Sequence, residues 1–366
     1  MSFSSLNIYL KTGRFLAITP PSTDTEEPSR CRQLHQLLMI VVIVMGVMAS
    51  MDYYKDSFAK LNFVKIAVCI LAEWIWCAFN CRIILETSKV RSWRRLIEGL
   101  KGTSYLVQDE DIQSGKVLFK FLVPQIIFWA CTIYRNWFSV TVVGVIYLKW
   151  FSVNIFESYL QFFYTLYIYT LLEMIRKRYE GLRRRCEHRF FQNGPHLAQL
   201  SRFACSLNKA VDAFNDTFGY SLILLISFTT LQILNYLDFN LQVEEYGDAN
   251  LIQMVVTQVL FILQSFVPTL MMILTCDNIV EESRKIIFLV SHSPLGIVDC
   301  KMRQDLDRFL TILTTNAPCF SAAGYFPINR STIFSIFGTV ATFLIVMLTL
   351  DPAQPDCIVK TNLTET

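Results

Sequence analysis

Long apolar stretches alternate with short polar segments along this chain. A helix needs about 20 apolar residues to cross about 30 Å of hydrocarbon. Seven stretches suit that role: Leu34 to Met51, Phe63 to Leu85, Val117 to Phe138, Phe151 to Ile175, Phe218 to Leu237, Leu251 to Cys276 and Ile333 to Leu350. Val140 to Trp150 is also apolar but too short for a separate span, so it reads as a re-entrant or interfacial extension of the third. Between the sixth and seventh spans, Leu306, Phe309, Leu310 and Leu313 recur at helical spacing with charges between them. Met302 to Asn316 therefore reads as an amphipathic helix.

Composition agrees with a polytopic membrane protein. Of 366 residues, 53% are hydrophobic and 17% charged, against about 25% charged in a soluble domain. This argues against soluble domains, disorder and secreted disulfide scaffolds. A net charge of +3 is too small to imply a nucleic-acid partner. The 11 cysteines are scattered without a CxxC pair, and the four histidines have no ligand spacing. Buried thiols are expected, with no metal and no cofactor. No HExxH, GxSxG or Gly-rich phosphate loop occurs, so no enzymatic activity is expected. Residues 1–33 are polar, with no short apolar region before a small-residue cleavage site, and read as a cytoplasmic tail.

Charge sets the orientation. With the N-terminus cytoplasmic, the inner segments 1–33, 86–116, 176–216 and 276–332 hold 25 Lys/Arg, and the outer segments hold 5. The basic loop 176–216, with Arg176-Lys177-Arg178 and Arg183-Arg184-Arg185, is the strongest retention signal. Asn362-Leu363-Thr364 is a glycosylation sequon on the predicted outside. A G-protein-coupled receptor has the reverse orientation, and Asp-Arg-Tyr after the third span and Asn-Pro-x-x-Tyr after the seventh are both missing. Lys65 and Glu73 lie eight residues apart on one face of the second span. They are either a functional intramembrane pair or a structural one near the outer end. No half-chain repeat of the transporter kind occurs.

The C-terminal stretch says most. Ala317-Pro318 ends the amphipathic helix, and Phe320 to Ser331 forms a compact Gly- and Pro-containing turn. In the last span Thr342-Phe343 is followed by five hydrophobic residues, Leu344 to Leu348, and then Thr349-Leu350. This resembles the insect gustatory receptor family, whose C-terminal signature is Thr-Tyr, five hydrophobic residues, then Gln-Phe. The spacing fits, and only the Thr is identical. The Ala322-x-Gly324-Tyr325-Phe326 turn and Ser331-Thr332 are also similar to the family.

The resemblance implies an all-α membrane protein of seven transmembrane helices, with the N-terminus cytoplasmic and the C-terminus extracellular. It implies a ligand-gated non-selective cation channel in the plasma membrane of a sensory neuron. The channel would be a homotetramer, or a heterotetramer with related receptor subunits, with the seventh helix lining the pore. The chain then divides into a tail (1–33), helices 1–5 with the ligand pocket (34–237), helix 6 with a cytoplasmic anchor region (251–332), a pore helix (333–350) and an extracellular tail (351–366). Pore and gate would involve Phe343, Met347, Thr349 and Leu350. Leu350 keeps a hydrophobic gate, while Thr349 offers fewer hydrogen bonds than the family's Gln. Asp351, at the predicted outer mouth, would form an acidic ring in a tetramer and concentrate cations. A small-molecule tastant, a sugar or bitter compound, would bind among the outer halves of the first six helices. Aromatic faces and hydrogen-bonding groups there nominate Trp129, Tyr134, Asn154, Glu157, Gln161, Gln232, Asn235 and Gln258. The alternative is a non-channel transporter or small-molecule binder, with Lys65, Glu73 and Glu157 as an ion relay.

Overall fold

The computed structural model describes residues 3–19, 30–58, 63–87, 89–103, 114–189, 195–241, 248–292 and 300–350. Ten helices carry the described chain: α1 (Phe3–Phe15), α2 (Arg30–Phe58), α3 (Phe63–Glu86), α4 (Val90–Gly102), α5 (Ser114–Val143), α6 (Ile146–Arg189), α7 (Pro195–Leu241), α8 (Asp248–Ser291), α9 (Cys300–Thr315) and α10 (Arg330–Leu350). A two-stranded antiparallel hairpin, β1 (Ser321–Ala322) and β2 (Phe326–Pro327), joins α9 to α10.

Each of the seven predicted spans lies on a helix. Among the described residues, length and hydropathy alone mark four stretches as able to cross a membrane: Arg30–Met51, Ile66–Glu86, Leu197–Asn235 and Ile252–Ser291. The apolar helix Arg330–Val346 is shorter. The fourth span falls short for a physical reason. Its helix, α6, is rich in tyrosine and carries Asn154, Glu157 and Gln161 on a buried face.

The structure departs from the sequence reading in four places. Val140 to Trp150 extends the third span only as far as Val143. Gly144, at φ +90°, stops α5, and residues 146–150 already belong to α6; glycine adopts that backbone without a Cβ penalty. Within the predicted tail, α1 buries Leu6 and Tyr9, and Tyr9 meets Phe121 edge-to-face at 5.0 Å. The third departure is α4, an amphipathic helix in a segment read only as a basic connection. It buries Val90, Trp93, Leu96, Ile97 and Leu100 at helical spacing and turns Arg91 and Arg95 to solvent.

The segment 176–216 is not a loop in its described part. Helix α6 runs on to Arg189 and α7 begins at Pro195, with proline in the first turn where its missing N–H costs nothing. These extensions pack with α4 and α9 into one aromatic core. Trp93 meets Phe218 edge-to-face at 5.1 Å, and Phe214 meets Phe320 of the hairpin connection at 5.6 Å. The predicted amphipathic helix is α9, with Leu306, Phe309 and Leu313 buried. Close helix approach uses small residues. A Cβ on Gly46 of α2 would stand 2.3 Å from Val153 of α6.

Candidate ligand site and pore helix

Two buried polar stripes define the end of the bundle away from the hairpin. On α3, Glu73, Trp76, Cys77 and Asn80 share one face; on α6, Asn154, Glu157 and Gln161 do. Helices α3 and α6 pack against each other, and Glu157 feels the charge of Glu73 and Cys77, which puts the two stripes near one another. Their polar atoms are poorly satisfied. Both carboxylate oxygens of Glu157, Oε2 of Glu73, Oδ1 of Asn80, Oδ1 of Asn154 and the indole N–H of Trp76 have no hydrogen-bond partner among the described residues. Each such group costs about 1–3 kcal/mol in a protein interior, more when charged.

A narrow cavity adjoins them. It is lined by Ser158, Gln161, Phe162 and Thr165 of α6, Phe128 of α5, Phe228 of α7, and Phe261 and Gln264 of α8. Its volume of ≈ 20 Å³ holds about one water. The cavity and the stripes share walls. Gln161 lies one turn beyond Glu157, and the Phe228 ring is 5.4 Å from that of Trp76.

Of the nominated ligand residues, Asn154, Glu157, Gln161, Gln232 and Gln258 are buried. The structure brings Asn154, Glu157 and Gln161 onto one face and lines the cavity with Gln161. Trp129 is 40% exposed, with its ring tilted against that of Tyr159 at 5.2 Å, on the outside of the bundle. Tyr134 packs near Trp137 at 6.2 Å. Asn235 accepts a weak bond from the Cys69 thiol at 4.0 Å. The side chain of Lys65, the suggested partner of Glu73, lies outside the described residues. Sequence reasoning did not nominate Phe128, Phe228, Gln264 or Trp76. The aromatic content was visible, but which rings face inward was not.

The carboxylates and amides of the hairpin end are bonded, although the buried Trp93 indole N–H and Tyr167 hydroxyl in its aromatic core have no partner among the described residues. Buried Glu86 accepts from the Tyr164 hydroxyl and from Ser221 at 2.5 Å, joining α3, α6 and α7. The Tyr179 hydroxyl donates to Asn208 at 2.5 Å. Buried Arg178 donates to the carbonyls of Leu100 and Met174, and burial pulls its guanidinium down to about 10. Arg183 pairs with Glu282 at 2.8 Å, tying α6 to α8.

The hairpin docks on α7. Asn215 donates to the Cys319 carbonyl at 2.7 Å and accepts from the Ser321 amide at 3.2 Å. A Cβ on Gly219 would stand 2.7 Å from the backbone nitrogen of Ala323, so only glycine lets the turn approach. Ala323 and Gly324 hold the turn at φ +49° and +81°. The first residue of α10, Arg330, reaches Asp277 of α8 at 2.7 Å. A cavity of ≈ 480 Å³ lies between α8 and the hairpin, bordered by Asp277, Arg284, Pro318 and Arg330. Along α10, Ile336 and Val340 are buried while Phe334, Phe337, Ile345 and Val346 are exposed. Phe343 is half-buried and Thr349 exposed; the side chains of Met347 and Leu350, and all of Asp351 and Asn362, lie outside the described residues.

Residues 6–354 match the family model described as 7tm chemosensory receptor. The chain belongs to this family. As a 7tm chemosensory receptor with helices apolar enough to span a bilayer, it is a membrane protein. The fold is similar to that of the insect olfactory receptor OR5 from Machilis hrabei, with a TM-score of 0.65 at 12% identity over 95% of this chain and 98% of that one. The same receptor in complex with eugenol gives a TM-score of 0.66 at 12% identity, covering 94% and 99%. No curated protein sequence matches the chain. The likeness to insect chemoreceptors read from the C-terminal segment is thus borne out at the level of the family.

Proposed function

We propose that the chain is a gustatory receptor subunit: a ligand-gated, non-selective cation channel opened by a small-molecule tastant. It would sit in the plasma membrane of a sensory neuron with its N-terminus cytoplasmic, and four subunits, alike or mixed, would place α10 around one pore. Membership of the 7tm chemosensory receptor family supports a receptor. The C-terminal signature around Thr342 to Leu350 and the 25-to-5 Lys/Arg bias support the pore and the orientation. OR5, a protein of this fold, is known in complex with eugenol, which supports a small organic ligand.

The observation that carries the channel reading is the attachment of α10. At its base the helix is held twice, through the hairpin on Asn215 and Gly219 and through Arg330 on Asp277. Beyond that base it shows large apolar side chains on its outer faces. Such a helix can be moved from its base and has faces free to meet copies of itself. Binding must favour the open arrangement over the closed one, or the ligand gates nothing. The half-buried carboxylate of Glu73 and the buried one of Glu157, both on spanning helices, favour the second reading, a non-channel ion-coupled transporter.

Whole-cell recording of cells expressing the chain, alone and with related receptor subunits, tests the proposal with a panel of sugars and alkaloids. The channel reading predicts a ligand-evoked, cation-selective current, reduced by Asp351→Asn. Substrate uptake coupled to protons, with no current beyond the coupled charge, would favour the transporter. A surface-expressed protein with neither activity would overturn both.

A further inference from the structure

We infer that the site between α3 and α6 takes a protonated organic amine, its ammonium seated between Glu73 and Glu157 and its apolar body in the adjoining aromatic cavity. This rests on the receptor reading above and names its ligand class. The first ground is a mismatch of hydrogen-bonding partners. Glu157 is 1% exposed, with both oxygens unpartnered among the described residues. Asn154, one turn away on the same face, and Asn80, on the facing stripe of α3, are more than nine-tenths buried and also have an unpartnered oxygen. The stripes thus hold five orphaned acceptor atoms, counting Oε2 of Glu73, against one orphaned donor, the Trp76 indole. What they lack is N–H donors, and an ammonium brings up to three.

The second ground is charge. Two carboxylates facing each other in a low-dielectric interior call for a counter-charge or for protons. No described cationic side chain acts on either one. A metal ion fits poorly, because the described residues contain no cluster of three or more His, Cys, Asp or Glu ligands. The third ground is the wall chemistry. Phe128, Phe162 and Phe228 surround the cavity next to Gln161, and aromatic faces attract organic cations; the fourth ring, Phe261, already carries the Arg135 guanidinium 4.3 Å from its centre. At ≈ 20 Å³ the cavity must widen to admit a phenyl-sized body. That change is what could distinguish the bound from the unbound arrangement.

The test measures binding rather than current, so its failure is separable from failure of the channel reading. The purified full chain in detergent would be titrated at neutral pH with 2-phenylethylamine and with neutral 2-phenylethanol, following thermal stabilisation. The expected result is roughly 10–100-fold tighter binding of the amine, the range for charge-assisted bonds. Glu157→Gln should remove that preference, and Glu73→Gln should weaken it. Stabilisation by zinc or calcium that competes with the amine and is lost in Glu157→Gln would replace the amine with a metal. Equal binding of amine and alcohol, no amine binding, or a preference that survives Glu157→Gln would show instead that the carboxylates are protonated and structural, and would overturn the inference.

Discussion

The two ends of the bundle bury polar groups in opposite ways. At the hairpin end, Glu86 accepts from Tyr164 and Ser221, Tyr179 donates to Asn208, and Asn215 holds both sides of the hairpin. About 20 Å along α3, at 1.5 Å per residue, Glu73 faces Glu157, and their buried oxygens lack partners among the described residues. A satisfied buried network rigidifies; an unsatisfied one costs free energy and stands ready to be completed by something else. The comparison teaches that the same side chain, a glutamate buried on a membrane-spanning helix, can be a strut or an open valence. The difference lies in what the neighbouring helices present to it.

Substitutions can break or sharpen this contrast. The largest effect is expected in the aromatic core of the hairpin end. Phe214 is fully buried and contacts both Phe218 and Phe320. Phe214→Ala should cost about 3–5 kcal/mol, seen as loss of monodisperse protein on size-exclusion chromatography in detergent. Next comes Ser221→Ala, which removes one of the two donors to Glu86. A loss of about 1–3 kcal/mol is expected, and a double-mutant cycle with Tyr164→Phe should show strong coupling. Asn215→Ala frees the hairpin without touching the core. It should cost about 1 kcal/mol and raise amide exchange around 319–328 while α7 stays protected; unchanged exchange would mean that the hairpin is held by packing alone. The smallest effect belongs to the other end. Glu157→Gln deletes a buried unpartnered charge and should leave stability within about 1 kcal/mol, or raise it.

The sequence made the long helices legible because their apolar stretches exceed any core helix. It also made legible α9, from the spacing of Leu306, Phe309 and Leu313, and the turn 320–331. Helices α1 and α4 were hidden because a short amphipathic helix carries as many charges as a loop; α4 has Arg91, Arg94 and Arg95 among its buried apolar positions. The break at Gly144 was unreadable because one glycine in an apolar run signals a stop only when its φ is known. Half of the candidate site was visible on α6, since Asn154, Glu157 and Gln161 repeat at helical spacing. Its other half was not, because nothing in one sequence says that Glu73 on α3 faces Glu157 or that Glu86 meets Ser221, 135 residues away.

The most direct test makes one chemical change at both ends. Glu86→Gln and Glu157→Gln are each isosteric and each remove one negative charge. Thermal unfolding of the two purified variants in the same detergent would be compared with the parent chain. The account predicts that Glu86→Gln lowers the midpoint by the equivalent of about 1–2 kcal/mol, the worth of charge-assisted bonds from Tyr164 and Ser221. It predicts that Glu157→Gln leaves the midpoint unchanged or raises it. A Glu157→Gln variant as destabilised as Glu86→Gln would mean that Glu157 is already held by partners of its own, and the division of the bundle into a bonded end and an open end would be wrong.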